Sequence, residues 1–344
     1  MRAIVVRRYG PPEVLVIQQV PEPKPNAGEV LIRVKAIGVN FADLMQRMGV
    51  YPGTPKPPLV PGLEIAGVVE KAAEGGRGGE GEPLQAGDAV VATPHFNAYA
   101  EWVAVPARHV YRLPAGIRFE EGAAIPVNYL TAYHAMFTMG NLQPGDRILI
   151  HGAAGGVGIA AVQLARSRGF EIFGTAGPAK QDFLRKIGVD HAIDNQKGDF
   201  VDVVRRVAPG GIEMVMDPIG GKSFRRSYEC LGPMGRLVLY GFSSAAGTDG
   251  KPNRLRSLQA FLQTPKFQPL ELMSKNVSVI GVHLGRLQAK AEVLRSELAE
   301  IFRLYGEGKI KPVIAKTFTL EQAADAHRLI QDRKNIGKVI LTVR

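Results

Sequence analysis

Apolar and polar positions follow two different periods along this chain, and the period changes near residue 120. Before that point, short apolar runs such as EVLIRVKAIGVN, residues 29–40, are separated by glycine, proline and asparagine, which predicts short strands joined by turns. After it, strand-like runs alternate with runs of helical period, beginning with RILIHG and VGIAAVQLARSRG. Such alternation predicts βαβ units and a parallel sheet.

The second period predicts a regular series of elements. Strands are predicted over 147–152, 171–176, 191–195, 213–219, 235–241 and 278–284. Helices are predicted over 119–140 (with a local break at Pro126), 157–169, 179–188, 199–207, 221–232 and 291–308, and a last helix and strand end the chain. The proline-rich stretch 52–61 is predicted as a loop, and the Gly-Glu run 74–82 as a surface hairpin tip. A Pro- and Gln-rich stretch, 251–269, precedes the strand predicted over 278–284.

Length and composition add limits to this picture. A chain of 344 residues that is 45% apolar predicts about two globular domains. It has no apolar run near the ~20 residues that span a bilayer and no signal-peptide core, so we expect a cytoplasmic protein. Its one cysteine, Cys230, excludes an intrachain disulfide and a multi-cysteine zinc lobe, and is most simply a core residue. The net charge of +11 is scattered, which argues against nucleic-acid binding.

The turn HGAAGGVG between the first strand and helix of this series is the strongest chemical signal. Its spacing, Ala153-x-Gly155-x-x-Gly158, fits the dinucleotide fingerprint with alanine in first place. Gly155 lets the backbone approach a pyrophosphate, and Gly158 lets the helix pack close to the strand. The backbone of Gly156 and Val157 completes the start of the helix, where free N–H groups attract negative charge.

The end of the next strand predicts which dinucleotide binds. A carboxylate about 20 residues after the turn would hold the ribose hydroxyl of NAD, but no acid occurs from Gly174 to Gln181. Thr175, Gly177 and Lys180 suit the 2′-phosphate of NADP instead, although Lys180 also fits an ordinary solvated helix position. Ligands lie at strand ends in open α/β sheets, so Tyr240, Gly241 and Phe242 are expected at the nicotinamide and Asn195 near the adenine.

Many segments in order make this chain resemble the zinc-independent quinone oxidoreductases of the medium-chain dehydrogenase/reductase superfamily. They include YGPPEVL, VKAIGVNFADLMQRMGVYP, PGLEIAGVV, NYLTAYHAM, HGAAGGVGIAAVQLA and DPIGG. LYGFSS, GVHLGRL and RKNIGKVIL lean toward the branch of the vesicle amine transport protein homologues. The resemblance implies an α/β fold: a doubly wound Rossmann domain, expected over 125–289, and a GroES-like β-rich catalytic domain from both chain ends, 1–124 and 290–344.

The same resemblance implies NADPH as the cofactor, a quinone or α,β-unsaturated carbonyl as the acceptor, and a homodimer. Asn40 and Tyr51 match polar positions on the catalytic-domain side of the cleft, and Tyr129 and Thr131 are expected to line the nicotinamide end. Arg333, Asn335 and Lys338 match positions near the cofactor. Asp43 either contributes to the site or caps its helix, and the seven histidines are expected to be structural or surface residues.

Zinc is not expected. Zinc-using relatives carry cysteine where this chain has Asn40 and Gly-His-Glu where it has Gly62-Leu63-Glu64, and neither asparagine nor leucine replaces such a ligand. Two other functions stay open: an enoyl-thioester reductase, and a non-catalytic nucleotide- or membrane-associated protein. The apolar stretch SLQAFLQTPKFQPLELM is either a lid over the acceptor site or a membrane-contacting segment, with the lid favoured.

Overall fold

A computed structural model describes residues 1–72, 78, 81, 83–245 and 254–344. The strands in chain order are β1 Arg2–Val6, β2 Leu15–Gln19, β3 Glu29–Val39, β4 Ile65–Lys71, β5 Ala89–Ala92, β6 Trp102–Pro106, β7 Val110–Arg112, β8 Arg147–His151, β9 Glu171–Ala176, β10 His191–Asp194, β11 Ile212–Asp217, β12 Leu231–Leu239, β13 Ser278–Gly281, β14 Ile314–Thr319 and β15 Lys338–Thr342. The α-helices are α1 Phe41–Met48, α2 Phe119–Gly122, α3 Pro126–Tyr133, α4 Gly156–Arg166, α5 Gln181–Lys186, α6 Phe200–Val207, α7 Lys222–Tyr228, α8 Arg254–Leu262, α9 Pro269–Lys275, α10 Ala291–Gly306 and α11 Ala323–Gln331.

The predicted parallel sheet is present and has six strands. Its order is β10-β9-β8-β11-β12-β13, and every neighbouring pair is parallel. Counted along the chain this is the order 3-2-1-4-5-6, the doubly wound arrangement that binds ligands where the strand order reverses. The reversal lies between β8 and β11, so the glycine-rich turn after β8 stands at that point. The predicted fold class is confirmed.

Both chain ends build a second sheet. Its order is β14-β15-β3-β4-β5-β7, with β6 paired to β3. Strand β15 runs antiparallel to β3, with Val339 opposite Val39 and Thr342 opposite Ala36. The buried side chains of β3 and β15, among them Val34, Ile37 and Leu341, pack into one apolar core. The expectation that this β-rich part is made from both ends of the chain is therefore confirmed.

The helical stretch predicted over 119–140 has the local break predicted at Pro126: α2 ends at Gly122, and α3 begins at Pro126. Beyond α3 the structure differs from the prediction, because residues 134–139 form a wide π-helical turn. The buried Glu297 carboxylate accepts hydrogen bonds there, from His134 Nδ1 at 2.7 Å and Thr138 Oγ1 at 2.5 Å. The stretch 251–269, for which the sequence predicts no element, contains helix α8. The predicted hairpin tip 74–82 lies outside the described residues, apart from Gly78 and Gly81.

Helix α10 lies on the GroES-like side of the boundary expected at residue 290, but it packs against α3. Its buried Leu298, Ile301 and Leu304 belong to the same apolar core as Ile148 and Ile150 of the parallel sheet. The boundary itself stays a prediction, and these contacts favour placing it after α10.

Candidate active site

The glycine-rich turn joins β8 to α4 through very close packing. A methyl group on Gly158 would lie 2.3 Å from the Gly152 carbonyl oxygen and 2.6 Å from Ala153 Cα, so the helix can approach the turn only with glycine there. A methyl group on Gly155 would meet one atom within 4 Å among the described residues, the Gly152 oxygen at 3.3 Å. The backbone at Gly155 therefore borders open space into which a ligand can move.

Helix α4 begins at this turn without a side-chain cap, because its N-cap residue is Gly155 itself. The N–H groups of Gly156 and Val157 have no acceptor within the helix, since the first turn of any helix leaves its donors unpaired. The helix dipole adds partial positive charge at the same place. The turn can thus hold an anionic group on backbone N–H donors.

The end of β9 separates two residues that the sequence groups as ligands of a 2′-phosphate. Thr175 is buried, and its hydroxyl lies 3.0 Å from His151 Nδ1 and 3.4 Å from the Gly152 nitrogen, so it supports the turn from beneath. Lys180 is half-buried and points elsewhere: its ammonium donates to the Asn335 carbonyl oxygen at 2.6 Å. Of the two side chains, that of Lys180 is the more exposed.

A second cation lies beside Lys180. Burial lowers the pKa of Lys180, and the positive charge of Arg333 lowers it further, because the two cations repel each other. Arg333 is exposed and has a left-handed backbone, with φ of 56°. The positive charges of Lys180, after β9, and Arg333, after α11, create a region of positive potential, where an anion lowers the electrostatic energy.

The C-terminal segment reaches the turn through Gly337. Gly337 forms an isolated bridge with Gly155, and its N–H donates to the Ala154 carbonyl oxygen at 3.0 Å. Its φ is +90°, and a methyl group on it would lie 2.2 Å from the Val313 oxygen, so this position requires glycine. Asn335 Nδ2 closes the segment by donating to the Gly337 oxygen at 2.9 Å. This bridge brings the segment that contains Arg333, Asn335 and Lys338 to the turn. Their position near the cofactor stays a prediction.

A buried ion pair lies directly behind Gly337. Lys338 is 3% exposed and Glu64 is 0% exposed, and the ammonium donates to Glu64 Oε1 and, at 2.6 Å, to Asn40 Oδ1. Asn40 Nδ2 donates to the same carboxylate oxygen at 2.8 Å, and Val127 N–H donates to the other at 2.8 Å. Asn128 Oδ1 lies 3.4 Å from the ammonium. This network ties the seven-stranded sheet to the start of α3.

A second buried network lies under Asn40. Asp43 and Asn40 form a capping box at the start of α1, which is one of the two roles expected for Asp43, and the Asn40 N–H donates to Asp43 Oδ2 at 2.8 Å. The Tyr99 hydroxyl donates to the same oxygen at 3.0 Å and lies 3.0 Å from His327 Nε2. Burial raises the pKa of Asp43 to about 7 and lowers the pKa of His327 well below its usual value.

The raised pKa of Asp43 gives a pH-dependent prediction. An unfolded aspartic acid titrates near pKa ~3.9, so the folded state holds this proton more tightly, and its stabilising effect is lost as pH rises toward about 7. Asp43→Asn keeps an acceptor for the Asn40 N–H but cannot ionise. The variant should therefore gain Tm relative to the wild type between pH 5 and pH 8, by several degrees in differential scanning calorimetry. The exposed Asp182→Asn is the control, and a pH-independent difference for Asp43→Asn would contradict the prediction.

Tyr51 faces the parallel sheet across the cleft. Its ring centroid lies 5.6 Å from that of His283, which follows β13. Tyr51, predicted to lie in the cleft, thus contacts a histidine that was expected to be only a structural or surface residue. Burial raises the pKa of Tyr51, and the nearby Asp43 carboxylate raises it further. A phenol with a raised pKa stays protonated and can donate a hydrogen bond.

The sequence and the fold are similar to those of known dehydrogenases and reductases. Two family profiles match, "Alcohol dehydrogenase GroES-like domain" over residues 26–115 and "Zinc-binding dehydrogenase" over residues 187–341. The synaptic vesicle membrane protein VAT-1 homolog of Danio rerio is 41% identical over 344 residues, covering 99% of this chain and 70% of that protein. The quinone oxidoreductase of Pongo abelii is 30% identical over 346 residues, covering 99% of this chain and 97% of that protein. The chain belongs to the medium-chain dehydrogenase/reductase superfamily.

Solved structures of this superfamily agree. A mycobacterial protein solved in complex with NADPH superposes with a TM-score of 0.87 and 29% identity, over 100% of both chains. The CurK enoyl reductase superposes with a TM-score of 0.83 and 28% identity, over 100% of this chain and 99% of that one. The fold of this oxidoreductase superfamily thus covers the whole chain.

Zinc is named in one matching profile, but the residues here do not fit it. Zinc-using relatives place zinc ligands at the positions of Asn40 and of the segment 62–64. In this chain the Lys338 ammonium is hydrogen-bonded to both Asn40 and Glu64. An ammonium has no lone pair for a metal and repels a dication. Within the described ranges, no group of three or more His, Cys, Asp or Glu side chains could hold a metal ion.

Tyr129 and Thr131, predicted to line the nicotinamide end of the site, differ in burial. Tyr129 is buried, and its hydroxyl donates to Gln163 Oε1 at 2.7 Å, so this hydroxyl is already engaged. Tyr129 also lines a cavity of about 10 Å³ with Asn128, Gly156 and Lys338, and Thr131 is half-buried further along α3.

Residues at the other strand ends lie closer to the surface. Tyr240 is half-buried, the exposed Gly241 packs against Pro218, and the Phe242 ring lies 6.2 Å from that of Phe224. Asn195 is exposed after β10. Gly177 is half-exposed beside Lys180, and Cys230 is buried in the core of the parallel sheet.

Two features bear on membrane contact. In the part of the chain that the structure describes, none of the helices is long and apolar enough to cross a bilayer. Helices α8 and α9, however, expose five large apolar side chains, each between 54% and 77% accessible: Leu258, Phe261, Leu262, Leu270 and Met273.

Proposed function

We propose that this protein is an NADPH-dependent, zinc-independent reductase that transfers hydride to a quinone or an α,β-unsaturated carbonyl. One observation carries the proposal. The bridge from Gly155 to Gly337 joins the dinucleotide turn to the segment that contains Arg333 and Asn335, the residues next to Lys180. The backbone donors and the cations that a phosphorylated dinucleotide needs therefore lie along one surface.

The residues present fit NADPH. The N–H groups of Gly156 and Val157 would hold the pyrophosphate, and Lys180 with Arg333 would hold the 2′-phosphate. Tyr240, Gly241 and Phe242 would border the nicotinamide, and the exposed Asn195 the adenine. NADPH, when bound, supplies the hydride; the protein supplies position and electrostatics.

On the acceptor side, Asn40 and Tyr51 take different parts. The Asn40 amide is fully used by Lys338, Glu64 and the Gly38 oxygen, so it fixes the wall of the site. The Tyr51 hydroxyl forms no hydrogen bond with the described residues and is free to donate to the acceptor oxygen. A donor placed at an oxygen that gains negative charge stabilises the reacting state.

The cofactor part of the proposal predicts a specific loss. Lys180→Met removes one charged donor, so the ratio of the NADH to the NADPH dissociation constant should fall about tenfold in fluorescence titrations. Lys186→Met, an exposed lysine of the neighbouring α5, is the matched control and should leave this ratio unchanged. The reductase proposal fails if the wild type does not bind NADPH, or does not consume it with any of a panel of quinones and 2-alkenals.

The structural likeness to an enoyl reductase favours a second candidate, an enoyl-thioester reductase. Relative kcat/KM values for free enones and acyl-thioesters separate the two.

We further propose a cytoplasmic homodimer formed along β13, the edge strand of the parallel sheet, beside the apolar side chains of α8 and α9. Sedimentation of the protein with and without liposomes separates a dimer from the membrane-associated alternative.

A further inference from the structure

Three basic side chains converge at the mouth of the cleft, and they come from both sheets. His95 follows β5 of the seven-stranded sheet, whereas His283 and Arg286 follow β13 of the parallel sheet. A methyl group on Gly285 would lie 3.0 Å from His283 Cε1 and 3.4 Å from His95 Cε1, so the two imidazoles meet over this glycine. All three basic side chains are exposed, and a solute can reach them.

Tyr51 connects this cluster to the proposed acceptor site. Its ring stacks at a tilt against His283, with 5.6 Å between the centroids. Arg286 follows Gly285 directly, and its positive charge opposes the rise in the pKa of the Tyr51 phenol. A molecule that accepts a hydrogen bond from Tyr51 therefore lies within reach of the cluster.

The positive charge of the cluster is not neutralised by the described residues around it. None of its three side chains forms an ion pair or a hydrogen bond within the described ranges. Partial desolvation of the His95 ring lowers its pKa, and the positive charges of His283 and Arg286 lower it further. Arg108, which acts on the neighbouring His109, is also basic, burial lowers the pKa of His109 to about 4, and the acid that acts on Tyr51 is the buried Asp43. The mouth of the cleft thus has an unmatched positive potential.

We propose that Tyr51, His95, His283 and Arg286 form a subsite for an oxyanion carried by the acceptor. The inference rests on the proposed function for where the acceptor lies, and it names the acceptor class: molecules that bear a carboxylate, sulfonate or phosphate. Arg286 presents a planar fork of donors that matches such a group, and the two imidazoles add donors from opposite walls. Neutral acceptors lack this interaction.

Kinetics with a matched pair of acceptors test the subsite. The ratio of kcat/KM for naphthoquinone sulfonate over naphthoquinone should fall about tenfold in Arg286→Gln, the loss expected for one charge-assisted hydrogen bond. His283→Phe keeps a ring against Tyr51 but removes the imidazole, and should lower the same ratio. Lys24→Gln, which removes an exposed lysine of the N-terminal loops, should leave it unchanged. Equal ratios in wild type and Arg286→Gln would overturn the inference.

A binding measurement separates this inference from the reductase proposal. Isothermal titration calorimetry should detect naphthalenesulfonate binding to the wild type and about tenfold weaker binding to Arg286→Gln. Methyl naphthyl sulfone, the neutral analogue, should bind the two proteins equally. Arg286-dependent binding without turnover of any quinone or 2-alkenal would keep the subsite and reject the reductase. Turnover of both quinones, with sulfonate binding that does not depend on Arg286, would reject the subsite alone.

A carboxylate-bearing enone and the coenzyme A thioester of the same enoic acid then identify the source of the oxyanion. Turnover of either, with a kcat/KM that depends on Arg286, supports the subsite and assigns it to a small acid or to a phosphate-bearing thioester. Turnover of both without any dependence on Arg286 counts against it.

Discussion

Lys338→Met should lower the free energy of unfolding by about 3–5 kcal/mol, the usual cost of removing one partner of a buried ion pair. The variant leaves the Glu64 carboxylate, which is 0% exposed, with only the Asn40 and Val127 donors that the structure gives it. Burial of an uncompensated charge is expensive because the low-dielectric interior cannot replace its lost hydration. The single tryptophan, Trp102, lies in β6 next to β3 and reports on this sheet by fluorescence during urea unfolding.

A double variant shows whether charge or packing is responsible. Glu64→Gln with Lys338→Met removes both charges while keeping similar volumes, and it should recover at least half of the lost stability. Replacing a buried ion pair by neutral groups is often close to neutral in stability. A double variant no more stable than Lys338→Met alone would show that the methionine side chain, and not the unpaired carboxylate, causes the loss.

Gly158→Ala and Gly155→Ala should fail in different ways, although each adds one methyl group to the same turn. At position 158 the methyl group would lie 2.3 Å from a backbone oxygen and 2.6 Å from a backbone Cα, so α4 must move away from β8. Overpacking of this kind costs about 1–3 kcal/mol or more. Gly158→Ala is therefore expected to lower the Tm clearly and to reduce the yield of folded protein.

Gly155→Ala should fold, because its methyl group meets the Gly152 oxygen at 3.3 Å and no other described atom within 4 Å. It occupies the space that the proposed pyrophosphate needs, so the NADPH dissociation constant should rise about a hundredfold, equivalent to losing one or two charge-assisted hydrogen bonds. Gly210→Ala, with open space around its added methyl group, is the control for both variants. Unchanged NADPH affinity in a folded Gly155→Ala would place the cofactor elsewhere.

The parts of this protein that sequence predicts are those fixed by neighbouring residues. The strand, turn and helix around Gly155 follow from a local hydrophobic period and from the positions of the glycines. The absence of an acid near Lys180 can be read from residues 174–181 alone. The two-ended sheet was also expected, but it entered through the family resemblance and not through any local pattern.

The missed residues depend on distant pairing. Glu64 and Lys338 are 274 residues apart, and no periodicity connects them. One signal was available: Glu64 interrupts an apolar strand start, GLEIAGVV, where a buried carboxylate needs a partner. His95 and His283 belong to loops of different sheets, so only the assembled fold shows that they meet.

The order of synthesis matters for the seven-stranded sheet because β3, one of its central strands, pairs with β15, which is made much later. Strand β15, which covers one side of β3, begins at Lys338, whereas β3 begins at Glu29. At roughly 5–20 residues per second, a ribosome needs on the order of 15–60 s to make the intervening chain. All six strands of the parallel sheet emerge within that interval. Residues 36–39 of β3, which pair with β15, therefore stay unpaired on that side in the nascent chain. The last connection made, at Gly337, is the one that completes the proposed cofactor surface.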